Sequence, residues 1–303
     1  MAGYSMGIPT KPSDSLVPRI RFFVWTGRWN FGGVHDMMRN EKIRWQVTLL
    51  APILSLVFLV LIWQAIVSFA QIHPVILPGP KAVWEAFQKN GTALQKGFIA
   101  TGKAALMGML ASLFFGSFIA ILFAQSRWLR AACFPYVIFL QTVPIVAIAP
   151  LLIIWSGYNF RTIVIVSFII SLFPVVSNVT SGLLSIDRNL LELFQLYGAN
   201  RWQILFRLQI PAAIPNLILG ARVSSGLAVI GAIVGEFFVG NGGQYDGLGT
   251  LMTGWQSLQR TDALMAAVLV STLLGVTMFG LINILSKTLL RRWTVAAGFD
   301  SNN

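Results

Sequence analysis

The stretch Val47–Ala70, VTLLAPILSLVFLVLIWQAIVSFA, decides the fold class. Its 24 residues include no charged side chain. A helix needs about 20 predominantly apolar residues to cross the hydrocarbon core of a bilayer, so this run is long enough to span one. It is too long for the apolar region of a signal peptide, and no small-residue cleavage site follows it. The 46 residues before it are polar and basic. The run therefore reads as a retained membrane anchor.

Similar blocks recur along the chain. Ala104–Ala124 is the second expected span, with Gly108, Ser112, Gly116 and Ala120 at every fourth position. That spacing lines small residues along one helix face and suits close helix packing in lipid. Ala131–Trp155 is the third, interrupted by Pro135, Pro144 and Pro150, with Gln141 and Thr142 beside the break. Proline removes a backbone donor and crowds the preceding turn. Such a segment belongs against protein or a water-filled path, because lipid cannot satisfy the freed carbonyls. Gln141 and Pro144 are accordingly candidate path residues. Thr162–Val179, with an expected kink near Pro174, Leu217–Val239 and Leu264–Leu285 complete an all-α polytopic bundle of about six spans.

Composition agrees. Apolar residues make up 56% of the 303 and charged residues 11%, against roughly a quarter charged in a soluble domain. The net charge is +12. The positives lie between apolar blocks and not on one basic stripe, which argues for topology signals over nucleic-acid binding. Taken on alternate sides, residues 1–46, 125–130, 180–216 and 286–303 hold 15 Lys and Arg, while 71–103, 156–161 and 240–263 hold six. Positive loops stay inside, so both termini are expected in the cytoplasm. The organisation is a basic cytoplasmic segment 1–46, a transmembrane domain 47–290 and a cytoplasmic tail 291–303. In loop 71–103, Pro78-Gly79-Pro80 precedes Lys81–Lys89, whose Val83, Trp84 and Phe87 give an amphipathic helix suited to the membrane interface.

The single cysteine, Cys133, can build neither an internal disulfide nor a zinc site, and His35 and His73 lie apart. No catalytic constellation, metal site or cofactor motif is present, so an enzyme is not expected. Gly97–Ala104, GFIATGKA, resembles a phosphate-cradling loop, but Ala104 replaces the hydroxyl residue that holds magnesium and no strand precedes it. Two ionisable residues lie within spans, Arg222 and Glu236. Intramembrane charge is costly and is by default a functional hypothesis. Arg222, near the cytoplasmic end, suits snorkelling, and Glu236, near the outer end, is a candidate for the path or an outer gate.

The segment 180–216 carries the functional argument. Asp187 can cap a helix running to about Tyr197, and Gly198 can stop it in a left-handed conformation. Asn200 with Gln203 three residues on reads as a capping box opening a second helix, which Pro211 and Pro215 are expected to end. Leu190, Leu191, Leu193, Phe194, Tyr197, Trp202, Leu205 and Phe206 are too many apolar side chains for a water-exposed loop. They need either a partner surface or the protein's own helix ends.

Here Glu192-Leu193-Phe194, Gly198 and Leu208-Gln209-Ile210-Pro211 resemble the EAA loop of ABC importer permeases, whose pattern is E-A-A, three residues, G, nine residues, I-x-L-P. The spacing matches, and Leu193 and Phe194 replace the two alanines. Gln141-Thr142-Val143-Pro144 with Ala147–Leu151 and Trp155, and Gly235-Glu236 followed by a Gly-rich loop to Gly249, are similar to the nitrate/sulfonate/taurine-type permeases. The resemblance covers about 47–290. It implies an inner-membrane multi-pass subunit, a permease homodimer, a separate cytoplasmic ABC ATPase docked on Glu192, Gly198, Leu208, Ile210 and Pro211, and an extracytoplasmic solute-binding protein. The solute would be a nitrate, a sulfonate or taurine, or a pyrimidine-type vitamin precursor. A secondary transporter or channel is the alternative, but it would be expected to carry more polar and acidic residues at mid-membrane.

Overall fold

A computed structural model of the chain describes residues 41–240 and 245–296, with side chains from 50 to 287 outside that gap. Most of the basic N-terminal segment, part of the Gly-rich loop and the last seven residues lie outside the described residues. Every regular element among those described is helical. The chain divides into two units, Met1–Leu59 and Val60–Asn303. Helix α1 (Glu41–Phe69) crosses the boundary, with Pro52 inside its first part.

Within the second unit, α2 (Pro80–Lys89) follows the Pro-Gly-Pro turn as expected, burying Val83 and exposing the stacked rings of Trp84 and Phe87, 5.6 Å apart. Then come α3 (Gly91–Gln125), α4 (Arg127–Thr142), α5 (Ile145–Ser156) and α6 (Phe160–Leu184). Two short elements, α7 (Arg188–Leu196) and α8 (Arg201–Ile204), lead through a π-helical segment Leu205–Gln209 into α9 (Ile210–Val239). Helices α10 (Leu248–Ser257) and α11 (Thr261–Ala296) follow. Among the described residues, five helices are long and apolar enough to cross a membrane, or six if the bent pair α4–α5 forms one span.

Helix α6 is the centre, pressed between α3 and α9 by glycines on both sides. A β-carbon on Gly116 of α3 would stand 2.8 Å from Val175 Cγ1, and one on Gly231 of α9 would stand 2.7 Å from Ser167 Cα. Backbones at this distance gain dispersion contacts that larger residues would prevent, which is how helices associate without a hydrophobic drive in lipid. Ser167 donates to the carbonyl of Ala228 at 2.9 Å, and Ser224 to that of Ser171 at 2.7 Å. The four-residue stripe Gly108, Ser112, Gly116 and Ala120 is buried throughout, as its spacing suggested.

Helix α3 is helical from Gly91 and buries Leu94, Gly97 and Thr101 ahead of the expected span Ala104–Ala124, which lies within it. Helix α6 continues through Pro174. One expectation about helix ends is corrected: Pro211 and Pro215 do not end the helix that begins at Arg201. The chain stays helical because the turn before Pro211 widens, with Ile210 N–H donating to Leu205 O, five residues back. That wider turn accommodates a residue that has no amide hydrogen and whose ring would crowd an ordinary preceding turn. In the third span the break falls at Pro144 alone. Val143, restricted to an extended conformation by the proline after it, has φ −71° and ψ 126°, and the axes of α4 and α5 diverge by 100°.

Candidate functional site

The helices α7 and α8 and the turn between them are built as their sequence indicated. Asp187 accepts from Asn189 N–H at 2.9 Å at the start of α7. At its end, Gly198 N–H donates to Gln195 O at 2.9 Å and Ala199 N–H to Phe194 O at 3.0 Å, with Gly198 at φ +70°. This is the Schellman turn, whose left-handed residue is most often glycine. Asn200 and Gln203 form the full capping box, each side chain accepting the other's amide at 2.8 Å. These local bonds satisfy helix-end donors and acceptors that would otherwise be orphaned, so the two short helices hold their shape in front of the bundle.

Most of their apolar side chains are exposed, while Leu191 and Phe194 are half-buried. Leu196 is 85% exposed, Tyr197 84% and Trp202 66%. Leu190, Leu193 and Phe206 are exposed as well, and the rings of Trp202 and Phe206 stack at 6.1 Å. Glu192 is exposed on the same elements. Leu205 points the other way and is buried. Leu208, Ile210 and Pro211 are half-buried at the root of α9, with Ile210 packed against the buried cluster of Ala120, Val175, Val179, Leu183 and Ala213. Gln125 at the end of α3 donates to Gln209 at 2.9 Å. The site thus has an exposed apolar tip and a root tied into α3 and α6.

Gln141 and Pro144 are both exposed at the α4–α5 break. Tyr136, Phe139, Trp155 and Tyr158 are exposed on the same two helices and the turn after them. Of these the sequence reading had singled out only Trp155, because the exposure of an aromatic residue in an apolar span is not legible in the sequence.

Glu236 is 0% exposed at the far end of α9 from α7 and α8. Its Oε2 accepts from Thr101 Oγ1 of α3 at 2.9 Å and from Gly249 N–H of α10 at 2.8 Å, and Thr101 Oγ1 accepts from Leu248 N–H at 2.9 Å. Thr101 belongs to the Gly97–Ala104 run that mimics a phosphate loop, and that run lies inside α3 against α10. Arg222 is half-buried and donates to Ser286 of α11 at 2.9 Å.

Comparison with known proteins fits this arrangement. The family described as "Binding-protein-dependent transport system inner membrane component" matches residues 112–294. The chain is 34% identical over 241 residues to the riboflavin transport system permease protein RibX of Chloroflexus aurantiacus, covering 78% of this chain and 88% of that one. It is 30% identical to the formylaminopyrimidine transport permease protein ThiX of Halalkalibacterium halodurans, with 80% and 95% covered. To the putative aliphatic sulfonates transport permease protein SsuC of Bacillus subtilis it is 27% identical, with 86% and 93% covered. Its fold is similar to a chain of the MetNI methionine ABC transporter in an inward-facing form, with a TM-score of 0.55, 18% identity, and 66% of this chain and 96% of that one covered.

Proposed function

The chain belongs to the binding-protein-dependent transport inner-membrane components, the permease subunits of ABC importers for small solutes, and from that premise we propose how it is driven and what it carries. A separate ATPase hydrolyses the ATP. We assign its docking surface to α7, α8 and the π segment, with Glu192 and Gly198 at the contact and Leu208, Ile210 and Pro211 passing the motion into α9. The observation that carries this is the exposed apolar tip on a pre-shaped turn. A surface of this kind needs a partner, and its capping bonds remove the ordering cost of meeting one.

On this reading α7 and α8 face the cytoplasm, both termini lie on the same side, and the permease works as a homodimer with an extracytoplasmic binding protein at its other face. The test is Gly198→Asp, with uptake, membrane level and co-purified ATPase measured on one sample. Uptake and recovered ATPase are expected to fall together while the permease still inserts. Normal recovery and normal uptake would remove the docking assignment.

For the solute, we assign a flat, uncharged heterocycle of the riboflavin or pyrimidine type. The relatives named for riboflavin and formylaminopyrimidine share 34% and 30% identity. Residues 131–160 hold no charged side chain, so a sulfonate would find no counter-charge at the break, where Tyr136, Phe139 and Gln141 offer ring faces and an amide. Uptake of labelled riboflavin, a formylaminopyrimidine, an alkanesulfonate and nitrate by the assembled transporter tests it. Uptake of either anion alone would overturn the assignment.

A further inference from the structure

Helix α10 has no cap of its own. Its N-cap position is Gly247, which has no side chain to accept the first amides of the helix. An uncapped helix start leaves backbone donors orphaned, and inside a protein each unsatisfied donor is destabilising. Here the acceptors come from two other helices. Thr101 Oγ1 of α3 takes Leu248 N–H, and Glu236 Oε2 of α9 takes Gly249 N–H. The carboxylate also meets the positive end of the helix dipole.

The fit leaves no room for a local substitute. A β-carbon on Gly249 would stand 2.8 Å from Glu236 Cβ, and Gly247 lies directly against the Glu236 carboxylate. Gly97 lets α3 come equally close, since a β-carbon there would be 3.2 Å from Leu248 N. At ten residues, about 15 Å at 1.5 Å per residue, α10 is too short to cross a bilayer. It nevertheless buries Leu248, Met252 and Trp255 among the ends of the spans.

We propose that Glu236 and Thr101 act together as an N-cap in trans that seats α10 across the end of the bundle opposite the docking elements. They are positioning residues for transport, because α10 closes that end only while both acceptors hold its first turn. This explains why a carboxylate stands buried in a span and why glycines occupy positions 247 and 249. It rests on the orientation assigned above only in naming that end the outer one.

The test uses the whole transporter with Met252→Cys as reporter in a Cys133→Ala background, and a membrane-impermeant maleimide added from outside. Parent protein is expected to react slowly, since Met252 is buried. Glu236→Ala and Thr101→Val should each speed the reaction at least about tenfold and lower uptake per molecule. The decisive arm is Glu236→Ala with Gly247→Asp. The truncation vacates the space beside Gly247, whose φ of −84° and ψ of 169° suit an aspartate cap, so the double variant should regain protection and uptake. A lost packing contact alone would not be restored by an acceptor supplied from another position. Parent-like protection and uptake in Thr101→Val, or a well-inserted double variant that stays reactive, would overturn the proposal. Reaction that speeds only with reagent on the cytoplasmic side would overturn the orientation and leave the cap standing.

Discussion

The amide of Ile210 donates to the carbonyl of Leu205, five residues back, and so joins α8 to α9 without a break. One wide turn placed before Pro211 sets the rotation of Trp202 and Phe206 relative to the whole of α9. Pro211→Ala removes the need for the wide turn. If the turn tightens to the ordinary spacing, the docking residues rotate by about a quarter-turn relative to the span, since each helical residue covers about 100° at 3.6 residues per turn. Pro211→Ala is expected to keep its ATPase but to move several-fold less solute per ATP hydrolysed, as measured by uptake and phosphate release in proteoliposomes. An unchanged ratio would argue that the turn is not part of the drive.

Gly198 sits at φ +70° with open space where a β-carbon would stand. A substitution there meets backbone strain but no clash. Gly198→Ala should cost about 1 kcal/mol, and Gly198→Asn should cost less, because asparagine tolerates the left-handed region. ATPase recovered per permease should therefore fall in the order Gly, Asn, Ala. Equal recovery from all three would show that the turn is not needed in this shape.

Gly231 and Gly226 lie on the same helix and should respond oppositely. A β-carbon on Gly231 would press within 2.7 Å of the α6 backbone, whereas Gly226 has nothing within 4 Å. Overpacking a tight contact costs roughly 1–3 kcal/mol. Gly231→Ala is expected to lower the melting temperature and membrane level, while Gly226→Ala leaves both near the parent's. The comparison needs only a thermal melt of the two purified variants.

The 100° bend between α4 and α5 admits two topologies, a crossing broken in the middle or a re-entrant pair. The positive-charge count favours a crossing. Cysteines at His73 and Gln195, in a background lacking Cys133, distinguish them with an impermeant thiol reagent. Three crossings between these positions put them on opposite sides of the membrane, and a re-entrant pair puts them on the same side. Opposite-side labelling is the expected result.

The sequence by itself determined the membrane class, the approximate spans, the small-residue stripe on α3 and the turn at Gly198. All of these are local or periodic. Apolar length, four-residue spacing, the Asn200–Gln203 box and Gly198 act over a turn or two of helix, so their physical cause lies within a few residues. The break at Pro144 was equally local, although only the structure separated it from the tolerated Pro135 and Pro150. Tertiary structure alone brought Glu236 to its partners in α3 and α10. Its partner Thr101 is 135 positions away on a helix whose sequence suggested a phosphate loop, and a buried carboxylate in a span reads the same whether it faces a path or a helix end. The continuity of α9 through Pro211 was hidden for a related reason. Whether a proline ends a helix or is absorbed by a wide turn depends on the packing on either side, here Leu205 and Ile210 held against the bundle, and no single stretch of sequence contains that balance.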